Sequence, residues 1–212
     1  MTRFPSRTDR FIAVLDRGLR AVAGSAPGDR PSPATAIDQD ELTAAEAAES
    51  VRLLRINRAG EIAAQALYSA QVAFTRDEST ARHLEQAAAE EVDHLAWCTE
   101  RLDELGGRGS YLDPLWYLGA TVIGTLAGIA GDRTSLGFVA ETERQVEAHL
   151  EDNLDRLPPA DLKSRAILEQ MRVDEARHGG DATAAGGKPI SEPVRSLMAV
   201  GGETLRRLAY KL

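Results

Sequence analysis

The sequence predicts an all-α protein organised around a four-helix bundle, and three observations lead to this fold class. Apolar residues recur at helical spacing over four long stretches that contain no proline. No stretch alternates apolar and polar residues in the way that a half-buried strand does. Turn and capping residues separate the stretches at 77–79, 106–107 and 158–159, which divides the four helices into two hairpins. At 212 residues the chain is long enough to bury a sizeable core.

Composition excludes several classes of function. The formal net charge of -8 argues against nucleic-acid binding, because no basic stripe is available to neutralise phosphates. The single cysteine, Cys98, rules out an intramolecular disulfide framework and a cysteine-rich metal cluster. No glycine-rich dinucleotide fingerprint is present, so the sequence does not predict a dedicated nicotinamide domain.

The first 40 residues are predicted to form an arm, and residues 41–212 the main domain. Residues 9–23 have the apolar spacing of a short amphipathic helix, either a docking helix or one packed on the body, and a Pro/Gly-rich linker follows at 24–36. Asp9 and Asp16 interrupt the apolar residues, so no core of signal-peptide length exists and we expect no signal peptide.

The bundle helices are justified in order by their caps and breaks. Thr43 and Glu46 form a capping-box pattern at the start of the first. Gly60 lies inside that helix, where we interpret it either as allowing close approach of another helix or as a tolerated cost of about 1 kcal/mol. The predicted helices span 43–75, 80–105, 135–157 and 160–184, and a basic C-terminal helix with one apolar face follows at 194–212.

An apolar segment at residues 111–131 lies between the second and third bundle helices. Asp113 is its only charged residue. It approaches the length of a membrane span, but its four glycines and few large aliphatic residues predict poor insertion. Two interpretations remain open: a central bundle helix that is apolar all round, or a helix that contacts one leaflet or lines a lipid-like substrate channel.

Six residues give the bundle its predicted chemistry. Each hairpin carries a lone Glu followed by Glu-x-x-His, and residues three apart share one face of a helix. Two Glu plus two Glu-x-x-His motifs are the ligand set of the dinuclear centre in ferritin-like carboxylate proteins. The predicted metal ligands are therefore Glu61, Glu91, His94, Glu143, Glu175 and His178.

The donor set indicates which metals fit. Four carboxylates and two imidazoles suit two divalent iron or manganese ions, and four negative charges offset two dications. Zinc generally takes fewer ligands, and calcium avoids imidazole. Glu147, one helical turn after Glu143, is the alternative ligand on that helix. Glu90 and Asp174, each directly before a predicted ligand, are candidates to accept the outer imidazole N–H, or else are simply exposed acids.

Four segments resemble motifs of the demethoxyubiquinone hydroxylase family, the di-iron monooxygenases of ubiquinone biosynthesis. The resemblance covers residues 50–212, and its motifs are 54–61 with Tyr68, 91–94, 143–149 and 171–178. The apolar segment falls where that family has its membrane-associated, substrate-lining region. Glu141 and Thr142 depart from the family pattern before the third ligand.

The resemblance implies a ferritin-like fold and a monooxygenase that hydroxylates the ring of a polyprenyl demethoxybenzoquinol with O2. It implies two iron ions per chain bridged by Glu91 and Glu175, with NADH or the reduced quinol as electron donor. Tyr68 and His149 are implied to assist electron or proton transfer. It also implies a peripheral protein on the cytoplasmic face of the inner membrane, and leaves open homo-oligomerisation and association with other ubiquinone-biosynthesis proteins.

Two other functions are compatible with the residues alone. A ferritin-like iron or manganese oxidase, peroxidase or storage protein would use the same ligands. A non-catalytic lipid-binding helical protein would carry them by coincidence and would bind no stoichiometric metal.

Overall fold

A computed structural model describes residue 16, residues 18–23 and residues 28–212, and these contain helices and loops but no strand. The all-α prediction is confirmed. Residues 16 and 18–23 are helical, and the rest of the predicted helix at 9–23 lies outside the described residues. The domain boundary at residue 40 stays a prediction. The helices of the main domain are α1 (Ala44–Phe74), α2 (Glu78–Glu104), α3 (Asp113–Ile129), α4 (Asp132–Arg156), α5 (Leu162–Ala184) and α6 (Glu192–Lys211).

Two hairpins, α1–α2 and α4–α5, form the four-helix bundle, and local capping fixes where they begin. The predicted capping box is present at α1: the Thr43 side chain accepts from the Glu46 N–H while Glu46 accepts from the Thr43 N–H. Asp77 caps α2 and Asp161 caps α5. Because α4 already begins at Asp132, the break after the apolar segment is shorter than the sequence indicated.

The bundle core has two apolar clusters separated along the bundle axis. One contains Leu53 and Leu54 with residues from 97–102, 150–157 and 167–171. The other contains Tyr68 and Leu136 with residues from 84–88 and Ala182. The six predicted ligands lie between these clusters in sequence on each helix, so tightly packed apolar layers flank them.

The apolar segment forms α3, which packs along α1 and exposes its other side. Gly124 and Gly128 supply the close contact, since a Cβ at Gly124 would lie 2.5 Å from the Leu67 carbonyl oxygen. The opposite side carries large exposed side chains: Leu115, Leu118, Val122, Ile123, Leu126 and Ile129. The interpretation as a central, fully buried helix is therefore wrong. Within the described residues, no helix is both long and apolar enough to cross a membrane.

Gly60 does not mark a close helix approach. A Cβ added there meets no atom within 4 Å. Of the two interpretations, close approach of another helix is wrong, and the glycine is a tolerated cost in helix propensity.

Helix α6 closes one side of the bundle against α1. Ala209 packs with Ile56 and Ala59, and Trp116 from α3 joins the same cluster. The rest of its apolar face is largely exposed, including Leu197 and Val200. Exposed apolar faces of α3 and α6 therefore flank one shared cluster.

Candidate metal centre

The four bundle helices bring the six predicted ligands together in the interior. Glu61 comes from α1, Glu91 and His94 from α2, Glu143 from α4, and Glu175 and His178 from α5. Every one of the six is at most 3% exposed. A buried group of four carboxylates requires compensation by protons or cations.

The two imidazoles direct Nδ1 into the cluster. His94 Nδ1 lies 3.3 Å from Glu175 Oε1 and 3.4 Å from Glu91 Oε2. His178 Nδ1 lies 3.4 Å from both Glu91 Oε1 and Glu175 Oε2. Each histidine thus faces the same two carboxylates, one on its own helix and one on the neighbouring helix.

The side chains divide into two overlapping groups that each have metal-site spacing. Glu61, Glu91, His94 and Glu175 offer ligand atoms within 4.8 Å of one another, and so do Glu91, Glu143, Glu175 and His178. Glu91 and Glu175 belong to both groups. This arrangement supports two adjacent ions with Glu91 and Glu175 as bridges, the roles that the resemblance implied.

Several cluster atoms are buried without a hydrogen-bond partner among the described residues. They are Glu61 Oε2, both carboxylate oxygens of Glu91, Glu175 Oε1 and His94 Nδ1. Buried polar atoms are nearly always paired, because leaving one unsatisfied is energetically costly. All five atoms point into the cluster and all are metal-ligand types, so the residues fit a pair of cations.

Mutual repulsion sets the ionisation of the metal-free cluster. Burial, and then the nearby Glu91 carboxylate, raises the pKa of Glu61. Burial and the Glu175 carboxylate likewise raise the pKa of Glu143. Burial opposes the charged form of His178, but Glu175 and Glu91 raise its pKa to about 11. Protons therefore take the place of cations when no metal is bound.

Comparison of the sequence with known proteins assigns the chain to a family. The sequence profile of ubiquinone biosynthesis protein COQ7 matches residues 48–207, which include all six residues of the cluster. The chain belongs to the COQ7 family. This assignment agrees with the predicted resemblance and with a ferritin-like helical fold.

Relatives of the COQ7 family match along nearly the whole chain. A 3-demethoxyubiquinol 3-hydroxylase from Cupriavidus necator is 53% identical over 206 residues, 96% of this chain and 100% of that protein. Proteins with the same name from Polynucleobacter asymbioticus and Xanthomonas axonopodis pv. citri are 49% and 47% identical, covering 98% and 100% of this chain and 100% and 97% of their own lengths.

Outside the cluster, the two histidines pair with carboxylates in a crossed arrangement. His94 Nε2 lies 3.0 Å from Asp174 Oδ2, and His178 Nε2 lies 3.1 Å from Glu90 Oε2. Each acid comes from the helix that carries the other histidine. The sequence identified both acids but not their partners, because only the packing of α2 against α5 determines where Nε2 points. The pairs fix Nε2–H as the donor and leave Nδ1 for a metal.

A strap at residues 28–30 completes this outer layer, and sequence reasoning missed it. Arg30 Nε lies 2.5 Å from Asp93 Oδ2, and its Nη1 lies 2.9 Å from Asp174 Oδ2. The backbone N–H groups of Asp29 and Arg30 donate to Asp93 Oδ1 at 2.6 and 3.1 Å. Despite burial, the bonds from His94 and Arg30 hold the pKa of Asp174 below its usual range. In the sequence Arg30 is one charge in a Pro/Gly-rich stretch, which carries no signal of this role.

The structure distinguishes Glu143 from Glu147. Glu143 is buried in the cluster, and the Tyr68 hydroxyl donates a hydrogen bond to its Oε1. Glu147, one turn later, is partly exposed and belongs to neither group of potential ligands. The geometry therefore favours Glu143 as the α4 ligand and places Tyr68 beside the centre.

His149 lies elsewhere than the resemblance implied. Its Nε2 is 3.0 Å from Asn153 Nδ2, and Asn153 Nδ2 in turn lies 3.1 Å from Asn57 Oδ1. It lines a surface cavity of about 280 Å³ with residues of α6 instead of joining the metal cluster. Burial, reinforced by Arg206 and Arg156, lowers its pKa to about 3. Helical rotation over the six residues from Glu143 carries it out of the ligand cluster, so the geometry gives no support to a catalytic role.

Proposed function

We propose that this chain is a di-iron monooxygenase that hydroxylates the aromatic ring of 3-demethoxyubiquinol with O2 in ubiquinone biosynthesis. One observation carries the proposal: a buried cluster of four Glu and two His lies inside a chain that matches 3-demethoxyubiquinol 3-hydroxylases over nearly its full length. The wider class, a hydroxylating oxidoreductase, follows from the same relatives.

The cluster residues have distinct roles in this proposal. Glu61 with His94 and Glu143 with His178 would each hold one iron, and Glu91 and Glu175, which belong to both groups, would contribute to both sites. Bound iron supplies the two-electron activation of O2 that side chains cannot perform. The flanking apolar layers exclude water, which protects the reactive site and strengthens its electrostatic interactions.

Residues around the ligands orient them and handle protons. The crossed Asp174–His94 and Glu90–His178 pairs hold both imidazoles with Nδ1 inward. The Tyr68 hydroxyl holds a proton at Glu143 Oε1, where it is available to a reacting oxygen. Burial and the neighbouring Glu143 raise the pKa of Tyr68, so this proton stays on the phenol in the absence of metal.

The exposed face of α3 supports access to a substrate that resides in a membrane. Leu118 is 63% exposed and Leu126 is 62% exposed, on a helix with no charged residue after Asp113. An exposed apolar stripe of this extent marks an interaction surface. We place the chain peripherally on the cytoplasmic face of the inner membrane, with α3 lying in the interface.

A turnover experiment tests the function. Protein loaded anaerobically with Fe(II) is given demethoxyubiquinol and O2, with NADH added in a parallel sample, and the product is identified by mass spectrometry. We expect one 18O atom from 18O2 in the product, and loss of turnover and of about two bound irons in Glu175→Ala. Iron mineralisation without quinol hydroxylation would instead indicate an iron-oxidase or storage protein.

Vesicle flotation tests the membrane prediction separately. We expect the parent protein to float with lipid vesicles and Leu118→Glu/Val122→Glu to stay in the soluble fraction. The matched control, Val173→Glu, replaces an exposed apolar residue on α5 and should float like the parent. Equal recovery of all three proteins in the soluble fraction would contradict the proposal for α3.

A further inference from the structure

A second cavity, separate from the cluster of six predicted ligands, is basic although the protein as a whole is acidic. It has a volume of about 660 Å³ and lies where the start of α1, the loop after α2 and the end of α6 meet. None of the six cluster residues lines it. Its basic lining residues are Arg52, Arg55, Arg108 and Lys211, and no acidic residue is among the described residues that line it.

Arg55 and Arg108 of this basic pocket are held in place but not neutralised, whereas Arg52 pairs with Glu49 at 3.0 Å. Arg55 Nε donates to the Arg108 carbonyl oxygen at 3.0 Å, and the Arg108 guanidinium stacks over the Tyr111 ring at 3.6 Å. Among the described residues, no carboxylate forms an ion pair with either arginine. Burial, then repulsion by Arg108 and Arg52, lowers the pKa of Arg55. An anion would relieve this repulsion.

The glycine loop and the α1 surface shape the pocket. A Cβ at Gly107 would lie 2.8 Å from both methyl groups of Val51, so only glycine lets the loop pack this closely. Ala44, Ala47 and Ala48 line the same cavity nearer the start of α1. Small apolar side chains beside convergent guanidinium groups suit an anion attached to an apolar body.

Its position connects the pocket to the exposed face of α3. Tyr111, whose ring carries the Arg108 guanidinium, is 72% exposed and lies just before α3. Leu115 and Leu118 continue the exposed apolar face from there. An amphiphile with its apolar part beside α3 would therefore bring its polar end to this pocket.

We propose that the basic pocket binds the phosphate of an anionic phospholipid headgroup at the edge of the apolar face of α3. This inference rests on the proposed membrane association. Guanidinium forks match phosphate oxygens in bidentate geometry. The net charge of -8 makes the chain as a whole repel an anionic surface, so attraction to such a surface requires a local cationic site.

Flotation with two vesicle types tests the pocket, one of neutral phosphatidylcholine and one with phosphatidylglycerol added. We expect the parent to bind the anionic vesicles more tightly. In Arg55→Gln/Arg108→Gln, the affinity for anionic vesicles should fall about fivefold for each arginine replaced. Its binding to neutral vesicles should be unchanged. The control Arg82→Gln/Arg172→Gln makes the same charge change outside the pocket and should behave like the parent.

Each other outcome overturns the proposal in a distinguishable way. If both double variants lost the same affinity for anionic vesicles, net charge alone would explain the effect. Equal parent binding to both vesicle types would remove the headgroup site while leaving membrane association intact, and no flotation at all would remove both. Competition by millimolar inorganic phosphate or glycerol phosphate would indicate a soluble anion. Arg55→Lys/Arg108→Lys keeps the positive charge but removes the guanidinium forks, so it should retain only part of the gain.

Discussion

At the residue scale, Arg30 bonds to two acids that lie on different helices, and one of these acids orients a predicted ligand. It contacts Asp93 on α2 and Asp174 on α5, and Asp174 orients His94. Trp97 Nε1 donates to the Arg30 carbonyl oxygen at 3.2 Å, which fixes the strap in turn. The chain before the bundle therefore contributes to the outer layer of the candidate metal centre.

Replacing Arg30 by Gln should weaken metal binding without unfolding the bundle. Outer partners of metal-ligating histidines typically contribute 10–100-fold in affinity, and we expect a loss in this range. Chelator competition with Co(II), followed by its absorption spectrum, measures the change. Arg172→Gln, which alters a partly exposed charge on α5, is the matched control. An unchanged Co(II) affinity in Arg30→Gln would show that the strap does not position His94.

His149 is predicted to affect stability at low pH more than catalysis. Its folded-state pKa of about 3 lies below the ordinary value of 6.5. Between these two pH values, His149 is protonated in the unfolded chain but not in the folded chain. Stability from this residue is therefore complete above pH 6.5 and falls as the pH drops toward 3. His149→Gln should lose less stability than the parent between pH 7 and pH 5 in urea titrations. Parallel curves for the two proteins would contradict this.

At the element scale, the glycines of α3 have different roles on its two sides. Gly124 contacts the α1 backbone, whereas a Cβ at Gly119 meets nothing within 4 Å. Gly124→Ala should destabilise the protein by about 1–3 kcal/mol through overpacking. Gly119→Ala is the matched control and should stabilise it by up to about 1 kcal/mol through helix propensity. Thermal unfolding distinguishes the two, and equal shifts would argue against close α1–α3 packing.

The sequence was sufficient for the elements and for the six side chains that cluster in the bundle, but not for contacts between elements. Periodicity and the Thr43 capping box located α1 because both signals are local. The Glu-x-x-His spacing fixed one face of α2 and of α5. The crossed histidine–carboxylate pairs and the Arg30 strap depend on how distant helices pack, which no local pattern encodes. For the same reason, sequence alone left open whether α3 is enclosed or exposed.

At the scale of the whole molecule, we expect the cluster to couple folding to metal binding. Four buried carboxylates repel one another across the helices that they join, and protons are a poorer compensation than two dications. Anything that binds the folded state more tightly than the unfolded state raises stability. We expect Fe(II) or Mn(II) to raise the midpoint of thermal unfolding, and chelation to lower it again. No such shift is expected in Glu91→Ala, which lacks a residue common to both groups.

Metal affinity should also rise with pH, and the sign follows from the protons that the cluster holds. Near pH 7 the metal-free cluster retains protons, because the pKa of His178 is raised to about 11 and those of Glu61 and Glu143 are raised as well. Each bound ion must displace protons, so fewer competing protons at higher pH mean tighter binding. Calorimetric titration with Mn(II) in buffers of different ionisation enthalpy counts the protons released. Zero release between pH 6 and pH 8 would mean that the six side chains are already deprotonated before metal binds.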